Sequence, residues 1–403
     1  HHGRAALHLK QTVPPTPGQP AKQPMVIPLK VALIGAESGK EVAPERLVLL
    51  REGEQVEPFA HVPEPAYLSI NRGFSAPVIV DAERRAGEVE ALAASDTDSF
   101  ARYEAVQELM YRELLAAIAG EEASPAPIIA AVRSTLASNA LDHAFKADAI
   151  AVPAESLILE KLDAADPEKV HAVREQFRVA IGSALMDDLA RSYQACSAAD
   201  PASLSGEAKG LRRLRTATLS LIAAGDAERG RALASRQFAE AQTMTERQAA
   251  LAVLTMLGGT AAVEALAAFY ERFKDDALVI DKWFGVQASA PRADTIEAVQ
   301  RLSEHPDFTM SNPNRLRALV GSFASTPFAF HRPDGSGYAF LADMIVRADA
   351  LNPQTAARFV APLGRWRKLE PSRAAKMREA LERVLATPGL SKDVFEQASK
   401  SLG

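Results

Sequence analysis

Cysteine is almost missing from this sequence, which has one, Cys196, in 403 residues. A single cysteine cannot form an intrachain disulfide, so the composition fits a reducing compartment and we expect a cytoplasmic protein. Because Cys196 stands among alanines, we expect a small buried apolar residue rather than a nucleophile.

Long apolar runs and basic clusters are missing as well. No run approaches the roughly 20 apolar residues that span a bilayer. The net charge of −5 is small, and no Lys/Arg cluster indicates a nucleic acid or a membrane as partner. No secretory signal is visible, and His1 and His2 indicate a tag remnant or a cut from a longer chain.

The sequence also lacks the spacings typical of catalytic sites. The interior histidines have no second histidine four residues away, so no zinc site of the usual spacing is predicted. No Gly-x-Ser-x-Gly motif occurs. The residues of a Ser-His-Asp triad come together only in the folded protein, so their spacing along the sequence does not exclude a triad. The segment VALIGAESGKE (31–41) has three residues between its glycines and Glu41 after the lysine, so it predicts a hairpin turn rather than a phosphate-binding loop.

Proline is concentrated at the start of the chain, where eleven of the 25 prolines precede residue 82. Ile27, Leu29, Val31 and Leu33 alternate as on one face of a strand, and further short strands are predicted at 46–50, 66–70 and 76–81. Short strands at this spacing are typical of a small antiparallel β-sandwich, which we place at residues 1–83.

From about residue 84 the pattern becomes helical, with apolar residues three and four apart in alanine-rich segments. Helix starts are predicted at Asp166-Pro167, Asp200-Pro201, Asn312-Pro313 and Asn352-Pro353, and Thr245 with Gln248 has the spacing of a capping box. The two Asn-Pro starts lie 40 residues apart, as in a helical hairpin repeat. We expect an all-α, HEAT-like superhelical solenoid at residues 84–403, and a multi-domain β + α protein.

Three segments near the C-terminus, FTMSNPNRLRALVGSFA, DGSGYAFL and LNPQTAARFVAPL, resemble the C-terminal part of bacterial aminopeptidase N, a zinc metallopeptidase. VIDKWFGVQA (279–288), SRQFAEAQTMT (235–245), AKQPMVIP (21–28) and FSAPV (74–78) extend the resemblance through the chain. In that family an N-terminal β domain and a catalytic domain come first, followed by a β-sandwich and a large helical domain. The resemblance therefore implies the third and fourth domains of such an enzyme.

The zinc motif of the family, His-Glu-x-x-His with a further glutamate, and its Gly-x-Met-Glu-Asn motif are not in this sequence. The resemblance thus implies a chain without its own zinc or catalytic residues, inactive alone. Its partners would be the N-terminal and catalytic domains of the same polypeptide, and peptides in the full enzyme. A surface made to pack on those domains would be exposed, and some self-association is expected. The alternative is a free-standing helical-repeat scaffold that binds protein partners along one face.

Candidate site residues lie at the two Asn-Pro helix starts. After the predicted cap Asn312, an apolar stripe at Leu316, Leu319, Val320 and Phe323 should face the core, with Arg315 and Arg317 on either side of it. Cations there oppose the helix dipole at a small cost, about 0.3–1 kcal/mol, which is a weak indication of use.

The second helix places Gln354 and Arg358 four residues apart on one face. In the family the helical domain walls the cavity through which peptides reach the zinc. We therefore expect Arg317 and Arg358, helped by Gln354 and Arg315, to bind the downstream carbonyls or the C-terminal carboxylate of a peptide. Pairing with neighbouring acidic residues is the alternative. Trp283, Phe284, Phe323, Phe328 and Phe330 are expected in the core.

Overall fold

The computed structural model describes residues 3–198 and 200–403. His1 and His2, interpreted above as a tag remnant or a cut end, lie outside the described residues. The chain divides into two compact units. One contains the described residues up to Glu113 together with Ala123–Ala151, and the other contains the described residues of Leu114–Glu122 and Val152–Gly403.

The first unit begins with five strands in two antiparallel sheets. The strands are β1 (Arg4–Lys10), β2 (Ile27–Gly35), β3 (Glu41–Leu50), β4 (Glu54–Ala60) and β5 (Ala66–Ile70). One sheet pairs β1 with β4, and the other has the order β3-β2-β5. Leu9 and Phe59 from the first sheet share one buried cluster with Leu29, Val31 and Leu33 from the second. The small antiparallel sandwich is therefore confirmed.

The segment tested for a phosphate-binding loop is a hairpin turn, as predicted. β2 and β3 pair antiparallel, and the N–H of Gly35 donates to the carbonyl of Lys40 at 2.7 Å. The backbone N–H groups of Glu37 and Ser38 both donate to the carboxylate of Glu64, at 2.9 and 3.0 Å. A carboxylate of the chain itself thus takes the donors that a phosphate would need.

The strand predicted at 76–81 is wrong. After β5, Asn71 adopts a left-handed conformation, and its side chain exchanges two hydrogen bonds with the backbone of Ala76. The segment that follows belongs to no strand in the described part of the chain, and Ile79 is 99% exposed. A segment of high β-propensity forms a strand only where it pairs with another strand. The turn between Asn71 and Ala76 directs residues 76–81 away from such a partner.

Most of the remaining chain forms helices. Their bounds are α1 Glu88–Ser95, α2 Ser99–Ala119, α3 Ala126–Ala137, α4 His143–Ala149, α5 Glu155–Glu160, α6 Pro167–Ala184, α7 Met186–Ala195, α8 Gly206–Gly225, α9 Ala227–Glu240, α10 Met244–Leu257, α11 Thr260–Phe273, α12 Ala277–Ala288, α13 Thr295–Ser303, α14 Pro313–Leu316, α15 Ser322–Ala324, α16 Pro327–Phe330, α17 Ser336–Asp349, α18 Pro353–Arg358, α19 Ala361–Gly364, α20 Pro371–Leu385 and α21 Lys392–Leu402.

Within the second unit, helices pack on their neighbours along the chain. α8 packs on α6, α7 and α9, α10 packs on α9 and α11, and α20 packs on α17 and α21. This order of contacts agrees with the predicted helical repeats. The boundary between residues 83 and 84 that we drew from periodicity remains our proposal.

Two predicted helix starts differ in the structure. Asp200 accepts from the N–H of Ala202 in a turn, and α8 begins later, at Gly206, with Ser205 as its cap. At α10 the cap is Thr243, not Thr245. The hydroxyl of Thr243 accepts from the backbone N–H of Glu246 at 3.2 Å and donates to the side-chain carboxylate of Glu246 at 3.0 Å. The helix therefore begins two residues earlier than the pattern predicted. The Asp166, Asn312 and Asn352 caps are confirmed.

Candidate functional site

The helix that begins at Asn312 is built as its sequence predicts. The Asn312 side chain accepts from the N–H groups of Asn314 and Arg315, and Pro313 is the first helical residue. The apolar stripe faces the core, with at most 1% exposure at any of Leu316, Leu319, Val320 and Phe323. The two arginines that flank this stripe have different surroundings.

Arg315 is buried and has several partners. Its guanidinium pairs with Asp281 at 2.5 Å, donates to the carbonyls of Asp307 and Ala277, and lies 5.0 Å from the ring of Phe284. These contacts join the start of α14 to α12. The structure gives Arg315 a packing role and does not place it with the other candidate arginines.

Arg317 is exposed and begins a π-helical segment, Arg317–Gly321, between α14 and α15. π-helical turns inside α-helices are frequent at functional sites. The side chain folds back along its own helix, where it donates to the carbonyl of Pro313 at 3.2 Å and to the side chain of Asn314. Because the guanidinium of Arg317 is exposed, these two hydrogen bonds can be replaced by hydrogen bonds to a ligand.

Arg317 lines a cavity of about 600 Å³, which we call the first cavity. Glu155 from the start of α5 and Arg174 from α6 also line it, with Ser325 and Thr326 from the end of the π-containing helix. The cavity therefore combines two guanidinium groups with a buried carboxylate.

Arg358 lines a second cavity, of about 460 Å³. Ser156, Ser325 and Pro327 belong to the lining of both cavities, so the two adjoin. The fold thus brings Arg317 and Arg358 to one continuous surface of the helical unit. Gln354 is exposed on α18, four residues before Arg358, and is not part of either lining.

A cluster that the sequence analysis missed lies beside the first cavity. Oε1 of Glu155 is 2.6 Å from Nδ1 of His171, and Oε2 accepts from the N–H of Phe328 at 3.2 Å. The ring of Phe328 stacks on His171 with 3.8 Å between centroids. Glu175 completes a group whose ligand atoms all lie within 4.8 Å of one another. His171 and Glu175 are four residues apart on α6, a spacing that a search for histidine pairs passes over.

This group has the donor types of a metal site, but its charges are already balanced. Both oxygens of Glu175 accept from Arg178, at 2.9 and 2.7 Å, and Arg174 donates to one of them at 2.9 Å. Burial acts to raise the pKa of Glu175, and the guanidinium groups of Arg178 and Arg174 outweigh it and lower that pKa. A cation here would face two arginines, so we interpret the cluster as a brace for the cavity wall.

The aromatic residues predicted for the core are found there, with one exception. Trp283 and Phe284 are buried, and the indole of Trp283 donates to the carbonyl of Leu266 at 3.0 Å. Phe323 and Phe330 are buried in edge-to-face contact. Phe328 is half-buried on His171. Cys196 is buried, as predicted.

Across the described ranges 3–198 and 200–403, no helix has the length and apolarity that crossing a membrane requires.

An Ig-like sheet unit followed by packed helical repeats matches two family models in the same order. Residues 1–83 match a family described as "Domain of unknown function (DUF3458) Ig-like fold". Residues 87–403 match "Domain of unknown function (DUF3458_C) ARM repeats". The chain belongs to this DUF3458_C family.

Named relatives make the assignment more specific. The chain is 40% identical to aminopeptidase N of Caulobacter vibrioides, over 93% of this chain and 44% of that protein. It is 34% identical to aminopeptidase N of Escherichia coli, over 98% of this chain and 47% of that protein. A crystal structure of Legionella pneumophila aminopeptidase A in complex with aspartic acid superposes with a TM-score of 0.87 at 29% identity, over 100% of this chain and 47% of that one. The resemblance to the C-terminal half of bacterial aminopeptidase N is confirmed, and the chain spans about half the length of the curated relatives it matches.

Proposed function

We propose that this chain is the non-catalytic, C-terminal portion of a zinc aminopeptidase. Its helical part encloses the active-site cavity of a catalytic domain and governs the access of peptides from which N-terminal amino acids are released. The observation that carries the proposal is the continuous surface with Arg317 and Arg358, in a chain that matches aminopeptidase N over about half of that enzyme.

The chemistry of the surface supports a role in holding peptides. A guanidinium group is planar and donates in a fork, which suits carboxylates and carbonyl oxygens. Arg317 and Arg358 would bind the downstream carbonyls or the C-terminal carboxylate, helped by Gln354 four residues before Arg358. Arg315 has a structural role in this scheme, because its guanidinium is already occupied by Asp281.

Zinc and its ligands would be supplied by the catalytic domain, which is joined to this chain in one polypeptide. The chain by itself should therefore be inactive, and we expect the whole enzyme in the cytoplasm. A free-standing scaffold remains the alternative, in which the same surface would bind protein partners.

The test compares two substrates of the complete enzyme. Arg358→Ala should raise KM for tripeptides by about tenfold, the loss of a charge-assisted hydrogen bond, with little change for single-residue chromogenic amides. Arg378→Ala is the matched control, since Arg378 is an exposed α20 arginine paired with Glu382 at 2.9 Å. Equal effects of Arg358→Ala on both substrates would remove the proposal.

A further inference from the structure

The second cavity has an excess of positive charge. Its lining includes three cationic side chains, Arg358, Arg365 and Lys368, and one carboxylate, Glu160. Arg365 pairs with Glu160 at 3.4 Å, and Lys368 pairs with Asp163 at 3.3 Å. All four of these paired side chains are more than half exposed. Ion pairs so exposed contribute little, so a ligand can compete for the cations.

The backbone that carries Arg365 and Lys368 is fixed on both sides. The carbonyl of Lys368 accepts from the N–H of Ala165 at 2.8 Å, and Ala165 in turn accepts from Glu370 at 3.0 Å. On the other side, the indole of Trp366 donates to the carbonyl of Ser401 at 3.0 Å. The two cations therefore project from a rigid turn, which lowers the ordering cost of binding.

His331 adds a neutral polar group to the lining of this cavity. Arg373 donates to the backbone carbonyl of His331 at 2.6 Å. Nδ1 of His331 lies 3.0 Å from the hydroxyl of Tyr338. Burial, with smaller contributions from Arg373 and Arg365, lowers the pKa of His331 to about 3, so the ring is neutral. A neutral imidazole has one N–H donor and one acceptor nitrogen, so His331 adds a polar group without adding a charge.

We propose that the second cavity is a carboxylate subsite that takes the acidic side chains of a peptide. Arg365 and Lys368 supply the charge, and the neutral ring of His331 supplies a further polar group in the lining. The inference rests on the proposed function, which brings peptides to this surface and assigns Arg317 and Arg358 to their backbone. It adds a preference for glutamate or aspartate downstream of the cleaved bond.

The experiment is calorimetric titration of the full 403-residue chain with three acetylated peptides. They are tetraglutamate amide, tetraglutamine amide and tetraglutamine with a free C-terminus. We expect tetraglutamate amide to bind about tenfold more tightly than tetraglutamine amide, as two partly exposed charge pairs would give. Tetraglutamine with a free C-terminus should show little of this gain.

Two double variants have the same change in net charge. Arg365→Gln with Lys368→Gln should bring the ratio of the two amide affinities close to one. Arg378→Gln with Lys400→Gln removes two similarly exposed cations that also pair with carboxylates, outside this cavity, and should leave the ratio unchanged.

Several outcomes would overturn the subsite. They are equal binding of both amides, binding of no peptide, equal losses in both double variants, or a free C-terminus that substitutes fully for the glutamate side chains. A separate arm tests the proposed function. If Arg317→Ala with Arg358→Ala leaves tetraglutamine binding unchanged while the glutamate preference still depends on Arg365 and Lys368, the proposed function fails and the subsite stands.

Discussion

Glu155, the first residue of α5, holds His171 of α6 by a hydrogen bond of 2.6 Å. The other oxygen of the same carboxylate accepts from the backbone of Phe328, 173 residues further along the chain. One buried side chain thus connects three helices at the wall of the first cavity.

Removing this carboxylate should weaken the fold. In Glu155→Ala the N–H of Phe328 and the ring of His171 both lose a buried acceptor, so we expect a loss of about 2–3 kcal/mol in the free energy of unfolding. Urea unfolding measures it. Glu264→Ala, at an exposed position of α11, is the control and should change stability by less than about 0.5 kcal/mol. A small effect of both variants would contradict the bracing role.

A close approach of two glycines joins α6 to α8. A Cβ placed on Gly182 would lie 2.3 Å from the carbonyl oxygen of Leu221 and 2.7 Å from the nitrogen of Gly225. Gly182→Ala should therefore force the helices apart and cost about 1–3 kcal/mol. Gly206→Ala adds the same methyl at the start of α8, where nothing lies within 4 Å, and should be neutral or stabilise by up to about 1 kcal/mol. Thermal unfolding of both variants gives the comparison.

Thr243 and Thr245 distinguish the observed start of α10 from the start that the sequence pattern predicted. Thr243→Ala removes the observed cap and should cost about 1 kcal/mol. Thr245→Ala removes the residue that the pattern predicted and should cost less than half as much, because that side chain is exposed. Chemical denaturation of the two single variants measures the difference. A larger loss at Thr245 would favour the later start.

His331 should make stability depend on pH. Burial, with smaller contributions from Arg373 and Arg365, lowers its pKa from 6.5 to about 3. The folded state therefore favours the neutral ring. The resulting stability is fully present above pH 6.5 and is lost as the pH falls toward 3, at about 1.4 kcal/mol per pH unit.

A variant without the imidazole isolates this contribution. The stability advantage of the unsubstituted chain over His331→Gln should shrink as the pH falls from 7 to 4, measured by urea unfolding at each pH. Tyr338→Phe removes the hydroxyl partner and keeps the histidine, so its pH dependence should follow that of the unsubstituted chain. A constant difference between the unsubstituted chain and His331→Gln would contradict the burial of a neutral ring.

Local patterns predicted the elements whose information is local. Asn312 caps its helix and the stripe from Leu316 to Phe323 is buried, because capping and a 3.6-residue period depend on a few adjacent residues. The strand at 76–81 failed for the opposite reason. A strand needs a neighbour, and the turn between Asn71 and Ala76 directs this segment away from one.

The candidate site shows the same division. The sequence placed Arg315 and Arg317 on either side of one stripe, and periodicity alone does not show which of the two side chains is buried. Only the packing of α12 against the start of α14 buries Arg315 on Asp281 and leaves Arg317 facing a cavity. Sequence patterns also did not predict the contacts of Glu155 with His171 and Phe328, because these contacts join residues far apart in the chain.

The sequence by itself determined the division into strands and helices, the main helix caps and the resemblance to aminopeptidase N, because each depends on neighbouring residues or on motifs in order. The tertiary structure decided which arginines share a surface and which carboxylates brace it. Those relationships depend on how helices separated by tens of residues pack together, and burial then sets whether a charged group is a fixed partner or remains free for a ligand.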